Sequence, residues 1–469
     1  MLSIIKKLIL FFLNLFGFGI FKKNKNQIQI ETIYKEKNQN KKIKLLESII
    51  EKKPFSPVIY ENYLNSLLKN LDFNFFSLLN NFRKKKEDWT QKKRFDKINL
   101  IFLKPKLFIG AFGNSYAAET LIRAENLKSD NQKKKLICIL PKGTNFTNKI
   151  LAKYFSKYIN FFRSEDIGLN TEEHSNVCED PSVHLNVSNE ELFLDIAANK
   201  CEIIEKKKEL NKPIFKLNSQ ENERGYKVLS KFGLTKNDWF VTFHIREKGY
   251  RNETIQNNKE TFRNSNPNNF IEAMKFITKQ GGWVIRVGDK SMSNLPKMKN
   301  VIDYANENIK SELMDIFLAA KSKFCVGTDS GYFRIPRFFG VPVLLTNTIN
   351  HLIYYSLKSK DLYLPKLVKR NSDNYIFKFQ EVFSQPFTLF HSDDHLKKFD
   401  CITVENTSDE ITNAVSEMIK KIDHGSDHQE NNQKKFKLIA EKSGAIFANK
   451  IFAFADCSKY FLNKHEKLL

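Results

Sequence analysis

Short apolar runs alternate with amphipathic helical stretches through the middle of this 469-residue chain. One such series covers 107–141, and a second covers 238–347. Strands that alternate with helices of about 10–15 residues are typical of parallel sheets with helices on both faces. The pattern therefore predicts an α/β protein built from two doubly wound, Rossmann-like domains.

Each series predicts its own strands and helices. The first has a strand at 107–109, a helix at about 115–128 and a strand at 135–141. The second has strands at 238–247, 282–289, 299–303, 324–326 and 341–347, with helices at 267–280, at 311–320 and from about Tyr332. Helices are also predicted at 43–51 and 58–80, and at the C-terminus at 407–421 and 434–452. Residues 198–224 are expected to link the two halves.

These elements predict five segments. They are an apolar membrane-association segment (1–25), a basic helical lead (26–100), an N-terminal Rossmann-like domain (101–225), a C-terminal Rossmann-like domain (226–422) and a C-terminal helical tail (423–469).

The chain carries a formal net charge of +24, and residues 1–100 hold 21 Lys and Arg against 9 Asp and Glu. A basic chain attracts nucleic acid, anionic membrane surfaces or phosphorylated ligands. No zinc-finger spacing, RNA-binding aromatic signature or repeated basic stripe occurs, which argues against nucleic acid. A basic segment beside an apolar N-terminus favours anionic lipid.

The apolar N-terminus contains fourteen residues, Leu8 to Phe21, with only Asn14 as a polar interruption. That is short of the ~20 residues needed to span a bilayer. Lysines on both sides suit a helix at the membrane interface or a short signal-anchor. A cleaved signal and a plain buried helix are the alternatives, although no small-x-small cleavage site follows.

Six widely spaced cysteines include no CxxC pair, and several lie inside apolar runs. This predicts small buried side chains in a reducing compartment rather than disulfides or metal ligands.

Three predicted strand ends carry polar or glycine-rich sequences, and ligands of open parallel sheets bind beyond such ends. The first is "GAFGNS", with Gly110, Gly113 and Asn114. Glycines allow the backbone to approach a ligand closely, and amides at a helix start can face an anion or a hydroxyl. A tight structural turn is the alternative.

The second strand end is "FHIREKGYRN", where His244 and Arg246 share one face of the strand. An arginine there can bind a diphosphate bidentately, or it can pair with a carboxylate of the same domain. "WVIRVGD" repeats the pattern with Arg286 and Asp289, for which an internal ion pair is equally open.

The third strand end is "GTDSG", with Thr328, Asp329, Ser330 and Gly331. Ser330 and the first amides of the following helix can bind phosphate, while Asp329 would serve a hydroxyl or orient the turn. An ordinary helix cap is the alternative.

The span 238–347, with "FHIRE-GYRN", "MDIFLAAKSKFCVGTDSG" and "FGVPVLLTN", resembles a family of bacterial glycosyltransferases with the GT-B fold. That family is distantly similar to O- and α1,6-fucosyltransferases and to heptosyltransferases. The resemblance implies that His244-Ile245-Arg246 is the H-x-R strand end of the C-terminal domain, and that Gly110 to Asn114 is the G-x-x-G-N loop of the N-terminal domain. Glu247 directly follows the arginine, where the fucosyltransferase motif has its acidic residue shortly after it.

The resemblance implies metal-independent sugar transfer, without a cofactor, from a GDP- or UDP-linked donor to a glycan or lipid-linked acceptor. Arg246, Arg286, Asp289 and residues 328–331 would bind the donor, and Gly110, Gly113 and Asn114 would lie on the acceptor side. Arg246 would also act in catalysis, by stabilising the charge on the departing diphosphate. His244 and Glu247 are candidates for the general base.

The expected location is the cytoplasmic face of the bacterial inner membrane. A sugar-nucleotide 2-epimerase of the same fold and a non-catalytic membrane-surface binding or scaffold protein are the alternative functions.

Overall fold

The computed structural model describes a chain dominated by parallel β-structure and helices. It describes residues 36–469 except 37, 53–56, 72–77, 80, 83, 87, 89–90, 92–98, 168–177, 183, 211, 249–259, 350 and 426–429. The predicted membrane-association segment, 1–25, and parts of the basic lead lie outside the described residues. Within the described residues, no helix has both the length and the apolar character needed to cross a membrane.

Contacts divide the chain into two compact units that are interleaved in sequence. The first takes in Met1–Ile109, Lys128–Phe146 and Phe155–Pro181, as far as these are described, and the second takes in Gly110–Leu127, Thr147–Tyr154 and Ser182–Leu469. The predicted domain boundaries at 225/226 and 422/423 stay predictions.

The first unit contains a four-stranded sheet in which all neighbours run parallel. Its strands, in the order β3-β2-β1-β4, are β1 (Leu100–Leu103), β2 (Lys135–Leu140), β3 (Ile159–Arg163) and β4 (Cys178–Glu179). Its helices are α1 (Gln39–Lys52), α2 (Pro57–Lys69) and, after β3, α5 (Ser164–Ile167).

The second unit contains a seven-stranded sheet whose neighbours are also all parallel. In sheet order its strands are β9 (Val301–Ile302), β8 (Trp283–Arg286), β7 (Phe240–His244), β10 (Cys325–Gly327), β11 (Val343–Thr348), β12 (Leu362–Pro365) and β15 (Asp456–Cys457). Two antiparallel pairs accompany it, β5 (His184–Val187) with β6 (Glu190–Phe193) and β13 (Leu367–Arg370) with β14 (Cys401–Val404).

The helices of the second unit are numbered in chain order. They are α3 (Ser115–Asn126), α4 (Lys149–Phe155, whose last residue falls in the first unit), α6 (Leu194–Lys207), α7 (Ser219–Leu229), α8 (Ile271–Lys279), α9 (Glu312–Lys321), α10 (Arg334–Phe338), α11 (Leu352–Ser356), α12 (Phe379–Val382), α13 (Asp393–Lys398), α14 (Ser408–His424), α15 (Asn431–Gly444) and α16 (Lys459–Lys464).

The strands form where the sequence is continuously apolar, as expected for parallel strands that are covered on both faces. The side chains of Val241, Phe243 and Ile285 are fully buried. A local signal fixes the start of α9, because Ser311 caps this helix by accepting a hydrogen bond from the Met314 amide. All six cysteines are buried and free, as predicted.

The helix predicted at 58–80 ends at Lys69. Three further sequence-based assignments are wrong. The strand predicted at 107–109 lies at Leu100–Leu103, because Pro105 ends the strand and starts a 3-10 turn over Pro105–Leu107. The predicted link, 198–224, is instead largely helical: α6 and α7 cover most of it, and the α6 residues Cys201 and Ile203 are buried.

The third concerns the C-terminus. The helix predicted at 434–452 ends at Gly444, and the chain then adds β15 to the edge of the seven-stranded sheet beside β12. The predicted helical tail therefore contributes a strand to the second unit.

The strand order of each sheet identifies a switch point. Numbered along the chain, the large sheet reads 3-2-1-4-5-6-7 from β9 to β15, and the small one reads 3-2-1-4. Doubly wound sheets of this order bind ligands beyond the carboxyl ends of strands 1 and 4, where the winding reverses direction. In the large sheet these strands are β7 and β10.

Candidate functional site

A cleft of about 910 Å³ opens in the second unit at the carboxyl ends of β7 and β10. His244 ends β7 and pairs in register with Gly327, which ends β10. The cleft is lined by nine of the twelve predicted site residues: Gly113, Asn114, His244, Arg246, Glu247, Asp289, Asp329, Ser330 and Gly331. The other three, Gly110, Arg286 and Thr328, are not among its lining residues.

The glycine-rich loop and the "GTDSG" turn meet backbone to backbone. A Cβ atom built on Gly113 would lie 2.6 Å from the Cα of Gly331, and one built on Gly331 would lie 2.5 Å from the amide nitrogen of Gly113. No side chain fits at either position, which explains why both are glycine. Gly110 has a φ of 94°, a left-handed conformation that glycine adopts without strain.

Thr328 ties the two strand ends together rather than lining the cleft. Its amide donates to the carbonyl of His244 at 3.1 Å, and its Oγ1 accepts from the amide of Arg246 at 2.9 Å. The side chain is fully buried. Thr328 therefore fixes the position of the second predicted motif relative to the third.

The turn after β10 presents unpaired amides. Among the described residues, the N–H groups of Asp329, Ser330 and Gly331 donate to no hydrogen-bond acceptor. Asp329 and Ser330 are only 6% and 7% exposed. Buried amides without a partner are rare, so these groups are available to a ligand or to water.

The helix that follows this turn is shorter than the sequence pattern predicts. It begins at Arg334 rather than near Tyr332 and ends at Phe338, so it spans five residues. The phosphate-binding capacity of this region therefore rests on the turn amides and not on a long helix dipole.

His244 and Ser330 form a hydrogen-bonded pair at the switch point. Ser330 Oγ lies 2.9 Å from His244 Nδ1, and the imidazole stacks on the ring of Tyr332 at a centroid distance of 5.4 Å. Burial lowers the pKa of His244 to about 4, an effect that nearby Asp289 only partly opposes. The imidazole is therefore neutral at physiological pH.

Arg246 belongs to a cluster with Glu260 and Arg263. Arg263 was not among the predicted site residues. Arg246 Nη1 donates to the carbonyl of Glu260 at 3.1 Å and lies 3.6 Å from the Glu260 carboxylate. Arg263 pairs with the same carboxylate, and its Nε donates to the carbonyl of Asp329 at 3.0 Å. The cluster thus brings two guanidinium groups to the turn. The "GYRN" part of the motif, 249–252, lies outside the described residues.

Arg334 is a second cation that the sequence reading missed. Its Nη1 donates to Asp195 Oδ1 at 2.9 Å, and its guanidinium carbon lies 3.8 Å from the ring centroid of Tyr116. Although burial alone would lower the pKa of Arg334, the Asp195 carboxylate raises it, and the side chain stays charged in the cleft wall. Such clamping fixes a guanidinium in one orientation.

Arg286 and Glu247 belong to an internal ion-pair network. Arg286 is fully buried, and its Nε lies 2.7 Å from Asp303 Oδ1. Its Nη1 lies 3.5 Å from Glu247 Oε1, while Glu247 Oε2 accepts hydrogen bonds from the amide and the hydroxyl of Ser293. The structure therefore places Arg286 behind the cleft wall, and it buries Glu247 Oε1 without a hydrogen-bond donor among the described residues.

A third wall of the cleft comes from the loop after β8 and the start of α9. Gly288, Asp289, Lys310 and Asp315 lie there. Lys310 Nζ donates to the carbonyl of Gly288 and lies 3.3 Å from Asp315 Oδ1. No sequence motif marked Lys310 or Asp315 as a site residue. An acidic residue in the first turn of a helix is common for electrostatic reasons alone, so Asp315 did not stand out.

The charges that line the cleft nearly balance. Four cationic side chains, Arg246, Arg263, Lys310 and Arg334, face five carboxylates, Glu247, Glu260, Asp289, Asp315 and Asp329. Such a mixture suits a ligand with an anionic part and several hydroxyl groups. No group of three or more His, Cys, Asp or Glu side chains among the described residues is arranged to hold a metal ion.

Comparisons with known proteins give structural likenesses only. No protein-family model and no curated protein matches the chain. Similar solved structures include ADP-heptose lipopolysaccharide heptosyltransferase II of E. coli, with 12% identity, a TM-score of 0.32, and coverage of 52% of this chain and 83% of that chain.

Two further structures are similar at the same level. For the glycosyl transferase family 9 protein of Veillonella parvula DSM 2008 the identity is 9% and the TM-score 0.36, with 64% and 95% of the two chains covered. For the iron-containing dodecameric glycosyltransferase TibC of enterotoxigenic E. coli H10407 the values are 13% and 0.31, with 54% and 58% covered.

Proposed function

We propose that this protein is a glycosyltransferase that moves a sugar from a nucleotide-sugar donor to an acceptor hydroxyl. The observation that carries the proposal is a run of three amides, at 329–331, which find no acceptor in the part of the chain that the structure describes and which line a cleft at the switch point of a doubly wound sheet. Consecutive free amides in a turn form an anion-binding concavity. Arg246 and Arg263 add two guanidinium groups to the same cleft.

This arrangement matches the charge that develops when a glycosidic bond to a diphosphate breaks. The bond between C1 of the sugar and the diphosphate oxygen breaks, and its electron pair leaves with the diphosphate. Donors fixed in advance around that oxygen lower the barrier, because they need no reorganisation during the reaction. In this proposal the turn amides and Arg246 hold the diphosphate.

The remaining features of the cleft fit the rest of a nucleotide sugar. Its volume of about 910 Å³ lies within the range of sites that enclose small ligands and cofactors. Carboxylates such as Asp289 accept hydrogen bonds from sugar hydroxyls, and the ring pair of His244 and Tyr332 offers a flat surface. The mixed charge of the cleft is therefore consistent with a sugar attached to a diphosphate.

The finer parts of the proposal come from the sequence. They are a GT-B arrangement, transfer without a metal ion, a GDP- or UDP-linked donor and an acceptor near Gly113 and Asn114. They also include a cell-surface glycan or lipid-linked acceptor, and a location at the cytoplasmic face of the bacterial inner membrane, to which residues 1–25 would attach the chain.

A thermal-shift panel tests the donor site. UDP, GDP, ADP and their hexose conjugates are added to the full chain, and the unfolding temperature is measured. A ligand present at 100 times its Kd stabilises the folded protein by about 2.7 kcal/mol, so a true donor gives a clear shift. If none of these compounds shifts the unfolding temperature, the proposed function is wrong.

Product analysis then separates the alternatives. A donor incubated with the protein alone, without an acceptor, should yield free nucleoside diphosphate and sugar at a slow rate through transfer to water. Conversion of the sugar into its C2 epimer would instead identify an epimerase. If the protein binds the donor but the donor stays chemically unchanged with every acceptor tested, the protein is a binding protein.

A further inference from the structure

A transferase of this kind needs a group that takes the proton of the acceptor hydroxyl, and the two candidates from the sequence are poorly suited to it. Oε2 of Glu247 accepts hydrogen bonds from Ser293, and Oε1 is fully buried, 3.5 Å from Arg286 Nη1, so neither oxygen is accessible in the cleft. His244 uses Nδ1 for Ser330, and burial lowers its pKa to about 4, away from the working pH. Glu247 therefore offers no accessible oxygen, and the environment of His244 shifts its pKa in the wrong direction for a base.

The other carboxylates of the cleft differ in their partners. Glu260 is paired with Arg246 and Arg263, and Asp329 lies 3.5 Å from Arg263 Nε. Asp289 accepts from the amide of Ser291 within its own loop. Asp289 therefore remains a rival to the fifth carboxylate of the cleft, Asp315.

Asp315 combines a fixed orientation with one unoccupied oxygen. It lies in the first turn of α9, and its Oδ1 accepts from the hydroxyl of Tyr304 at 2.9 Å and lies 3.3 Å from Lys310 Nζ. Among the described residues, Oδ2 accepts no hydrogen bond, yet it is not a buried orphan atom. The side chain lines the cleft and is 16% exposed.

Its surroundings also make Asp315 a better proton acceptor than an ordinary aspartate. Burial raises its pKa, an effect that Lys310 and the Tyr304 hydroxyl only partly offset. Efficient general bases have pKa values raised toward the working pH. Tyr304 is itself fully buried and is tied to the cap residue Ser311 through the Ser311 amide, so Oδ1 cannot rotate freely.

We propose that Asp315 is the general base of the transfer reaction. Its Oδ2 removes the proton from the acceptor hydroxyl while the acceptor oxygen bonds to C1 of the sugar. The bond from C1 to the diphosphate oxygen breaks in the same step, and its electron pair leaves on the nucleoside diphosphate. This inference rests on the proposed function, and it assigns Tyr304 as a positioning residue that holds Oδ1.

The test is the release of nucleoside diphosphate from the donor that the panel identifies, with water as the acceptor. Asp315→Asn keeps the size of the side chain and removes the basic oxygen. We expect kcat to fall about 10²- to 10⁴-fold, the usual contribution of a general base. The apparent Kd for the donor, obtained from thermal-shift titrations, should stay within twofold of the wild-type value.

The pH profile distinguishes a base from a residue that merely binds sugar. Wild-type kcat/KM should fall on the acid side as Asp315 becomes protonated, and the raised pKa places this fall above the ordinary aspartate value of 3.8. The profile of the Asp315→Asn protein should lose that fall. Tyr304→Phe should lower kcat only a few fold. It should also shift the pH at which kcat/KM falls on the acid side, because Oδ1 of Asp315 loses one hydrogen-bond donor.

Glu307→Gln is the matched control, since Glu307 is an exposed acid in the same segment. It should leave kcat, KM and the pH profile unchanged. If Asp315→Asn binds donor and turns it over at the wild-type rate, or if Asp289→Asn is the variant that loses the acid limb, the base assignment is wrong and the proposed function survives. If the wild type binds no nucleotide sugar, both proposals fall together.

Discussion

At the switch point of the four-stranded sheet the polar side chains neutralise one another, whereas at that of the seven-stranded sheet several polar groups find no partner among the described residues. Lys104, which follows β1, lies 2.7 Å from Glu61 and 3.5 Å from Asp180, the residue after β4. Lys106 also pairs with Asp180, at 2.5 Å. Although burial alone would lower the pKa of Lys104, the two carboxylates raise it.

The corresponding point of the large sheet has the amides of 329–331 and Asp315 Oδ2 without partners among the described residues. Both sheets share the strand order that creates a crevice. The topology thus decides where a ligand could bind, and the side chains decide whether that place is filled by ion pairs or left open to a ligand.

Breaking the ion pairs of the small sheet should affect stability alone. Lys104→Met leaves the buried carboxylates of Glu61 and Asp180 with fewer cations, so we expect the free energy of unfolding to fall by about 3 kcal/mol, the low end for a broken buried pair because Lys106 remains. Urea unfolding measures this loss. Lys106→Met, at a half-exposed lysine, should change stability by less than about 1 kcal/mol. Altered nucleotide affinity in Lys104→Met would contradict the comparison.

The close approach of the two glycine loops should be needed for the open cleft. Gly331→Ala forces a Cβ into the amide of Gly113, which should lower the free energy of unfolding by about 2 kcal/mol and abolish nucleotide binding. Gly143→Ala is the control in the first unit: its φ of 72° adds about 1 kcal/mol of strain, but a Cβ there meets no atom within 4 Å. Normal nucleotide binding by Gly331→Ala would show that the loop contact does not shape the site.

Removing a guanidinium from the large sheet's crevice should affect binding more than stability. Arg246→Ala should raise the Kd for the nucleoside diphosphate about tenfold, which corresponds to about 1.4 kcal/mol and to the loss of one charge-assisted hydrogen bond. Isothermal calorimetry measures the change. Arg224→Ala, at an exposed arginine of α7, should leave the Kd unchanged. An equal Kd for both variants would remove Arg246 from the donor site.

The large sheet should also be the more acid-sensitive region through its buried histidines. Burial lowers the pKa of His351 from 6.5 to about 3, and its Nδ1 lies 2.9 Å from the hydroxyl of Tyr363. Because the pKa of His351 is lower in the folded state than in the unfolded state, its contribution to the free energy of unfolding is fully present above pH 6.5 and is lost as the pH falls toward 3. At pH 5.5 the free energy of unfolding should be lower by about 1.4 kcal/mol.

Urea unfolding between pH 7 and pH 5 checks this slope. His351→Gln should flatten it, whereas His424→Gln, at an exposed histidine, should leave it as in the wild type. The same slope in all three proteins would mean that His351 is not the sensitive group.

Much of the large sheet could be predicted from the sequence, because its strands are continuous apolar runs and several of its helices, such as α9 and α14, begin at capping residues. The strands at 240–244 and 283–286 and the helix at 271–279 lie within the predicted elements. The first strand was misplaced because "LIFL" and "LFI" are equally apolar, and only the sheet pairing with β2 distinguishes them.

The roles of individual charged residues were harder to predict. Arg286 is the last residue of β8 and Arg246 lies two residues beyond the end of β7, yet the sequence pattern around them is similar. Arg286 is fully buried beside Asp303, whereas Arg246 lines the cleft. Arg334 and Asp315 gave no separate signal, because an arginine after a turn and an acid in a first helical turn are both common on ordinary surfaces.

The sequence by itself determined the α/β class, the parallel strands and the positions at which those strands end, since these depend on apolar runs and on glycines within a few residues of each other. Only the tertiary structure decided which polar groups find a partner and which are left for a ligand. Pairing brings together residues far apart in the chain, as with Gly113 and Gly331 or Arg334 and Asp195. Local sequence carries no record of such distances.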